Sequence, residues 1–355
     1  MPPEIRSAIN ALPPGDERPR ILIVDDSAVA RAVIERAVEA SGRFYVSGAC
    51  ANAKAALYFL EAERVDGIIL DIEMPGIDGL SALPDLISAS GGAKVLIVSS
   101  IARDGAAATI EALALGAADT LFKPDAGGFA GRFSQAVSEK LDRLFEADPA
   151  PYAVSLHDRK PNGGFDIVAI GASTGGIHAL GLLLREIPQT VTAPILITQH
   201  LPASFMPFFA AQLAVLAARP CDVASDCLRI RPGRIVIAPG DAHLRVVGTG
   251  DGAAIRLSAA PAPSGCLPSV DPMFESLAEV YGERVLAIVL SGMGRDGSIG
   301  ARRVMERGGC VIAQDRESSV VWGMPGAVAN AGLASAIMAP AAIGKLVAAR
   351  RRPTA

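Results

Sequence analysis

The chain has 355 residues, 50% of them hydrophobic and 20% charged, with a formal net charge of −4. That is enough for about two domains with cores of their own, and too apolar for a disordered chain. No Lys/Arg block stands outside the terminal "AARRRP", so a nucleic-acid partner, which would need a basic face, is not expected.

The five cysteines, Cys50, Cys221, Cys227, Cys266 and Cys310, are odd in number and show no CxxC or Cys/His ligand spacing. This argues for a reducing compartment and against a structural zinc. The opening "MPPEIRSAINALPPGDERPR" is polar and proline-rich, unlike a signal peptide, and no run reaches the ~18 apolar residues of a membrane span. A cytoplasmic location without direct membrane insertion is expected.

From Ile21 the chain alternates short β-rich runs with longer amphipathic stretches. "ILIV" (21–24), "GIIL" (67–70), "KVLIVS" (94–99) and "DTLF" (119–122) read as buried strands. Between them "SAVARAVIERAVEA" and "AAATIEALALG" carry apolar residues at intervals of three and four, the helical period. "GGFAGRFSQAVSEKLDRLFEA" predicts a last helix running to about Ala147, and the proline- and glycine-punctuated "DPAPYAVSLHDRKPNGG" a linker over 148–164. Alternation restarts with "FDIVAIGAS", "APILITQH", "RIVIAPG", "RVLAIVLSG" and "CVIAQ". Strand–helix alternation of this kind makes parallel sheets covered on both faces. The expected fold class is α/β, two doubly wound parallel-sheet domains over 20–147 and 165–350.

In open parallel sheets the working residues collect at the carboxyl ends of the strands. In the first half these ends offer Asp25 and Asp26, then Asp71, Ser99 and Lys123. Three carboxylates brought together repel unless a hard divalent cation sits among them, and oxygen-only ligation suits Mg2+. A lysine and a hydroxyl beside them are what a transferred phosphoryl group needs. The plainer alternative is that Asp25-Asp26 caps a helix and Lys123-Pro124 turns the chain. Four strand ends carrying fitting chemistry in order argue against it.

"LIVDDSAVAR", "LDIEMPGIDGL", "IVSSIARDG" and "TLFKP" make residues 20–145 resemble the receiver domain of bacterial response regulators, a flavodoxin-like fold. The resemblance implies that Asp71 is the phospho-acceptor, fed by a chemotaxis histidine kinase. Asp25, Asp26, Asp71 and the backbone carbonyl of Glu73 would hold Mg2+, Ser99 would be the switch hydroxyl, and Lys123 the ion-pair partner of the phosphoryl group. Thr120 stands at the switch position where many receivers carry an aromatic residue.

In the second half Gly171-Ala172-Ser173-Thr174-Gly175 satisfies GxSxG between a strand and a helix. Backbone N–H groups at the helix amino end could stabilise an oxyanion there, but a glycine-rich turn cradles phosphate equally well. The stretch alone leaves a nucleophile, a phosphate loop and a structural turn open. A dinucleotide site is disfavoured, because "GASTGG" is not GxGxxG and the next strand ends "ILITQH" without an acid.

A nucleophilic serine needs a base, and the base an orienting carboxylate. Of four histidines, His157 lies in the linker, His178 on the following helix, and His243 at the head of a β-rich run where a surface or core role fits better. His200 ends the next strand, and neighbouring parallel strands lie about 5 Å apart. It is the best base. Asp296, the only acid of "AIVLSGMGRDGS", is the best carboxylate, although it could instead cap the helix "SIGARRVMERGG"; Asp241 and Asp271 are weaker choices. Met293 could supply a backbone N–H. The order Ser, His, Asp is not that of the α/β-hydrolases.

"AIGASTGG", "QHLPASF", "IAPGDAHL", "PSVDPMFESLA", "SGMGRDG" and "IAQDRESSVVWGMPGAVANAGL" resemble the catalytic domain of the CheB family of chemotaxis protein-glutamate methylesterases, a Rossmann-like fold. The resemblance implies hydrolysis of glutamate γ-methyl esters on methyl-accepting chemoreceptors, releasing methanol, with deamidation of particular glutamines. Ser173, His200 and Asp296 would be the catalytic triad, and backbone N–H groups near Met293 and Thr174 the oxyanion donors, with no cofactor in this domain. It also implies recruitment to chemoreceptor arrays, and a receiver that restrains the esterase until phosphorylated. Leu267 stands where many relatives carry a basic residue.

Two other readings remain: a non-catalytic adaptor that binds a receptor tail under control of the receiver, and a nucleotide-binding output domain. The missing GxGxxG and Walker lysine weigh against the second.

Overall fold

The structure, a computed structural model, describes residues 17–99, 103–123, 130–146 and 164–349. The chain separates into two compact units, Met1–Ala147 and Asp148–Ala355. Apart from Gly164, the linker expected over 148–164 lies outside the described residues.

Unit one runs β1 (Arg20–Val24), α1 (Ala28–Ala40), β2 (Tyr45–Cys50), α2 (Ala53–Ala62), β3 (Gly67–Asp71), α3 (Gly79–Ser90), β4 (Lys94–Ser99), α4 (Arg103–Leu115), β5 (Asp119–Phe122) and α5 (Ala130–Leu144). The strands form one sheet in the order β2-β1-β3-β4-β5, every pair parallel. β1, β3 and β4 are apolar and buried along almost their whole length, as strands covered on both faces must be. α1 packs with α5, while α2, α3 and α4 pack in sequence. Side chains of Ser27, Asn52 and Asp78 cap α1, α2 and α3 by accepting from amides in their first turns, satisfying donors a helix start leaves orphaned.

β2 and α2 were not among the elements expected from the sequence. β2 reads "YVSGAC", and Ser47 and Gly48 interrupt its apolar run. Gly48 is there because a Cβ would lie 2.7 Å from the Phe59 ring of α2. The chain leaves β1 for β2 and returns on the other side at β3, so the topological switch point brings the ends of β1 and β3 together.

Unit two runs β6 (Ile167–Ala172), α6 (Gly176–Arg185), β7 (Ile195–Gln199), α7 (Met206–Ala217), β8 (Cys221–Val223), β9 (Ile235–Ile237), β10 (His243–Thr249), β11 (Gly252–Ser258), α8 (Val270–Tyr281), β12 (Val285–Val289), α9 (Ser298–Glu306), β13 (Cys310–Gln314), α10 (Gly323–Asn330), β14 (Ala336–Met338) and α11 (Pro340–Ala348). Seven strands make a wholly parallel sheet, β14-β13-β12-β6-β7-β9-β8. β10 and β11 form a separate antiparallel hairpin that packs on α8.

α6 packs with α7 and α11, and α9 with α8 and α10. Phe274, Leu277, Val285, Val304 and Val311 are wholly buried in the core shared by α8, α9 and the sheet, each side chain contributing about 1.5–3 kcal/mol. The chain starts in mid-sheet at β6, winds outward through β7, and returns beside β6 at β12. The ends of β6, β7 and β12 therefore converge at the second switch point. Among the described residues no helix is long and apolar enough to cross a membrane.

Candidate active site

The first cluster sits at the switch point of unit one. Asp25 and Asp71 are almost wholly buried, and carboxylate oxygens of Asp25, Asp26 and Asp71 lie within 4.8 Å of one another. Lys123, just past β5, places Nζ 2.6 Å from Asp71 Oδ2 and 3.2 Å from Asp25 Oδ2. The Glu73 N–H donates to Asp71 Oδ1 at 3.2 Å, and the Ser27 N–H to Asp25 Oδ1 at 2.8 Å. Burial pushes the Asp71 carboxyl up, against the pull of Lys123. Burial also opposes the Lys123 charge, but the bond to Asp71 and the charge of Asp25 prevail and hold its ammonium on. Ser99, buried at the end of β4, exchanges a 3.0 Å hydrogen bond with Thr109. Thr120 is half-buried on β5.

This donor set fits a hard divalent cation. Three carboxylates converge, and Asp25 Oδ2 is buried without a hydrogen bond, 3.2 Å from the Lys123 ammonium. An oxygen-rich cluster only partly neutralised by a single lysine is the chemistry Mg2+ completes.

The second cluster gathers at the switch point of unit two. Ser173 follows β6 directly and is half-buried. Its N–H donates to Ser291 O at 3.0 Å, and its carbonyl accepts from Gln199 Nε2 at 2.9 Å. Gly175 turns the chain into α6 with φ 74°, a left-handed conformation that favours glycine. Gly292 packs against the serine so closely that a Cβ would lie 2.8 Å from Ser173 Cβ. Met293 is the next residue, and Thr174 is tied to the same loop because its carbonyl accepts from Ser291 Oγ at 2.8 Å.

His200, one residue past β7, is held at the strand end by its N–H, which donates to Ala172 O at 3.1 Å. Its Nε2 faces Asp296 Oδ2 at 2.8 Å. Burial works against the imidazolium, yet the bond to Asp296 and the nearby Cys266 thiol outweigh it and push His200 up to about 9.

Asp296 is buried and does not cap α9, the helix it precedes. Its carboxylate sits on the amino end of α8, accepting from the Val270 N–H at 2.8 Å, the Asp271 N–H at 3.4 Å and Ser269 Oγ at 2.7 Å. Burial alone would raise its pKa; the bonds from His200 and Ser269 reverse that and hold it below the ordinary carboxylate range. Asp271, buried alongside, is pushed up by desolvation and by the Asp296 charge.

Of the surface or core role expected for His243, the structure has the core one, and it also bears on the site. The Ser269 N–H donates to His243 Nδ1 at 2.9 Å, so Nε2 carries the ring proton and donates to Ala260 O at 2.8 Å. His243 therefore fixes Ser269, which in turn fixes Asp296.

A serine, an imidazole and a carboxylate from three adjacent strand ends, around glycine-lined backbone, make an arrangement suited to acyl transfer. Comparison with known proteins agrees. The CheB methylesterase model matches residues 168–347 and the response regulator receiver domain model residues 21–127. The chain belongs to the CheB methylesterase family.

A relative from Paramagnetospirillum magneticum, named protein-glutamate methylesterase/protein-glutamine glutaminase 1, is 39% identical over 93% of this chain and 96% of its own. One from Caulobacter vibrioides, named protein-glutamate methylesterase/protein-glutamine glutaminase 2, is 41% identical over 95% of this chain and all of its own length, 100%. The crystal structure of the Thermotoga maritima CheB methylesterase catalytic domain is 34% identical, covering 53% of this chain and 99% of that one with a TM-score of 0.51. The CheB methylesterase fold is thus shared by unit two, and the receiver domain precedes it in the sequence.

Sequence reasoning brought Ser173, His200 and Asp296 to one switch point, and Asp25, Asp26, Asp71 and Lys123 to the other. It missed Ser269, Gln199, Gly292 and the part taken by His243. "PSVDP" carried a signal, since a serine before an acid and a proline announces a helix start. What it could not tell is that the start receives a carboxylate from another segment.

Proposed function

We propose that the protein hydrolyses glutamate γ-methyl esters of methyl-accepting chemoreceptors, with Ser173 as nucleophile, His200 as base and Asp296 as orienting carboxylate. The observation that carries this is the 2.8 Å contact between His200 Nε2 and Asp296 Oδ2 at the end of the strand next to Ser173. With Nε2 committed to Asp296, Nδ1 is the nitrogen that takes the Ser173 proton. Serine oxygen attacks the ester carbonyl; the tetrahedral oxyanion is met by backbone N–H groups near Met293 and Thr174. The same imidazole returns the proton to the departing methoxide, giving methanol, and water then frees the glutamate. A glutamine amide would follow the same path, losing ammonia.

In the receiver, Asp71 is the phospho-acceptor and a histidine kinase the phosphodonor. Asp25, Asp26 and Asp71, with the carbonyl of Glu73, would hold Mg2+, which when bound neutralises phosphoryl charge. Lys123 pairs with the phosphoryl oxygens, and Ser99 and Thr120 report its presence as switch residues. Phosphorylation raises esterase activity by shifting a population, for which the phosphoryl group must favour the active arrangement differentially. The protein works in the cytoplasm at receptor arrays.

The relatives described above are enzymes by name, and the adaptor alternative gains nothing from them. The test is methanol release from methylated receptor, with and without a phosphodonor, by wild type, Ser173→Ala and Asp71→Ala. Ser173→Ala should release none and Asp71→Ala should ignore the phosphodonor. Equal release by wild type and Ser173→Ala would overturn the reading.

A further inference from the structure

Cys266 has no place in the ester chemistry, yet its sulfur lies with one nitrogen of His200 and one oxygen of Asp296 so that all three atoms are within 4.8 Å of one another. The three come from separate segments: the end of β7, the loop after β12, and the loop between β11 and α8. We propose that His200, Cys266 and Asp296 form a binding site for a borderline-soft divalent cation of the Zn2+ class, and that its occupation switches the esterase off.

The donor set selects the ion. One imidazole, one thiolate and one carboxylate suit zinc, whereas Mg2+ prefers oxygen alone. Zinc bonds of about 2.0–2.3 Å in a tetrahedron put ligand atoms roughly 3.3–3.6 Å apart. His200 Nε2 and Asp296 Oδ2, at 2.8 Å, must separate by about half an ångström for that, and the metal replaces the proton between them. The thiol gives up its proton on ligation. Thiolate and carboxylate together cancel the two positive charges.

The surroundings already serve a metal ligand. Asp296 is fixed from behind by Ser269 Oγ and the amides of Val270 and Gly297, the support that orients ligating carboxylates. Cys266 sits between Gly265, at φ 71°, and Leu267, whose side chain is half in solvent. The loop is open to solvent beside Cys266, so an ion can enter there. Three protein ligands leave a fourth position open. Once its lone pair is on the metal, His200 cannot take the Ser173 proton. Only this inhibitory consequence rests on the triad reading; the binding does not.

The test uses the full chain with saturating Mg2+, so that the receiver carboxylates are occupied. Zn2+ is titrated by calorimetry, and Co2+ serves as an optical probe whose charge-transfer band reports a thiolate ligand. Wild type and Ser173→Ala should each bind one Zn2+ and show the cobalt band. Cys266→Ser should lose the band and bind Zn2+ at least about tenfold more weakly. In methanol release, Zn2+ should inhibit wild type reversibly, a chelator restoring activity, and Cys266→Ser should need about tenfold more metal relative to its own uninhibited rate. An unchanged cobalt band in Cys266→Ser, or no Zn2+ binding by wild type, would overturn the proposal. Wild type without methanol release would sink the esterase reading, and the metal titration would still decide this one.

Discussion

The Val270 N–H donates to Asp296 Oδ2 at 2.8 Å, on the same oxygen that faces His200 Nε2. Val270 is the first residue of α8, and Ser269, in the N-cap position, makes no capping bond to its own helix; its hydroxyl goes to Asp296 instead. A carboxylate from a distant loop thus does for α8 what a capping side chain does. The helix dipole and the orphan amides favour the negative charge there, and that charge favours the protonated imidazole of His200. Asp296→Asn should therefore lose twice. Methanol release should fall about 10³- to 10⁴-fold as the imidazole loses its orientation, and stability should fall by about 1–3 kcal/mol as α8 loses a charged partner. Kinetics and thermal unfolding on the same sample check both. A variant with full activity would show that Asp296 merely caps α8.

The His200–Asp296 pair fixes how the enzyme responds to pH. His200 is raised to about 9, so its stabilising contribution is complete below its unfolded value of about 6.5 and disappears as pH climbs through about 9. Asp296 is depressed; its contribution is present above the unfolded value of about 3.9 and is lost in more acid solution. With His200 in its proposed role as base, catalysis runs the other way on the alkaline side, because only neutral imidazole is a base. kcat/KM should climb through neutrality and level off near pH 9. Asp296→Asn should move the residual profile toward lower pH. A wild-type profile flat between about pH 6.5 and pH 9 would contradict the strong coupling of this pair.

Asp271 offers a separate check on the electrostatics. Burial and the Asp296 charge both disfavour a second anion and push Asp271 up to about 7, and its Oδ1 accepts from the Gly300 N–H at 2.8 Å. Its folded pKa is above the unfolded one, so folding retains a proton that the unfolded chain releases, and stability is lost as pH rises above about 4. Asn carries no such loss and can accept the same bond. Asp271→Asn should gain in melting temperature relative to wild type between about pH 5 and pH 8. A gain that does not grow with pH would mean that Asp271 is ionised in the fold.

These contacts show where sequence reading stops. Buried runs such as "IVAIGA" and the helical period announced the two parallel sheets, and the rule that working residues collect at strand carboxyl ends grouped Ser173 with His200 and Asp25 with Asp71. β8 and β14, at the two sheet edges, are only three residues long, too short for a periodic signal. β2 was hidden by the serine and glycine in its middle. At the site, Ser173, His200 and Asp296 were legible as candidates because each ends or follows a strand. Ser269 and His243 were not, because their importance lies in hydrogen bonds across 26–27 residues of chain, which no local pattern carries.

The receiver carboxylates make a metal-dependent stability prediction. Lys123 is the only cation paired with the carboxylates of Asp25 and Asp71 among the described residues, and it leaves Asp25 Oδ2 buried without a hydrogen bond. A ligand that binds the fold alone stabilises it by RT ln(1 + [L]/Kd), about 1.4 kcal/mol at tenfold excess over Kd. Mg2+ should thus raise the melting temperature of the receiver transition in wild type, and EDTA should reverse the gain. Asp25→Asn should abolish the response. A shift of equal size in that variant would move the cation elsewhere.

Gly292 tests whether Ser173 depends on a tight backbone. A Cβ there would meet Met324 Sδ at 2.4 Å, Ser173 Cβ at 2.8 Å and Ser173 N at 3.1 Å. Methionine is flexible and can move aside, whereas the serine backbone is anchored by its N–H on Ser291 O and by Gln199 on its carbonyl. The cost therefore falls on the position of Ser173 and on the neighbouring amide of Met293. Misplacing a nucleophile by a fraction of an ångström to an ångström costs up to about 10²-fold in rate, while overpacking one methyl costs roughly 1–3 kcal/mol of stability. Gly292→Ala should lower kcat more than it raises KM, in a protein that still unfolds cooperatively. Unchanged kcat would mean that the loop yields freely, and that neither Ser173 nor the Met293 amide needs to be held where the structure has them.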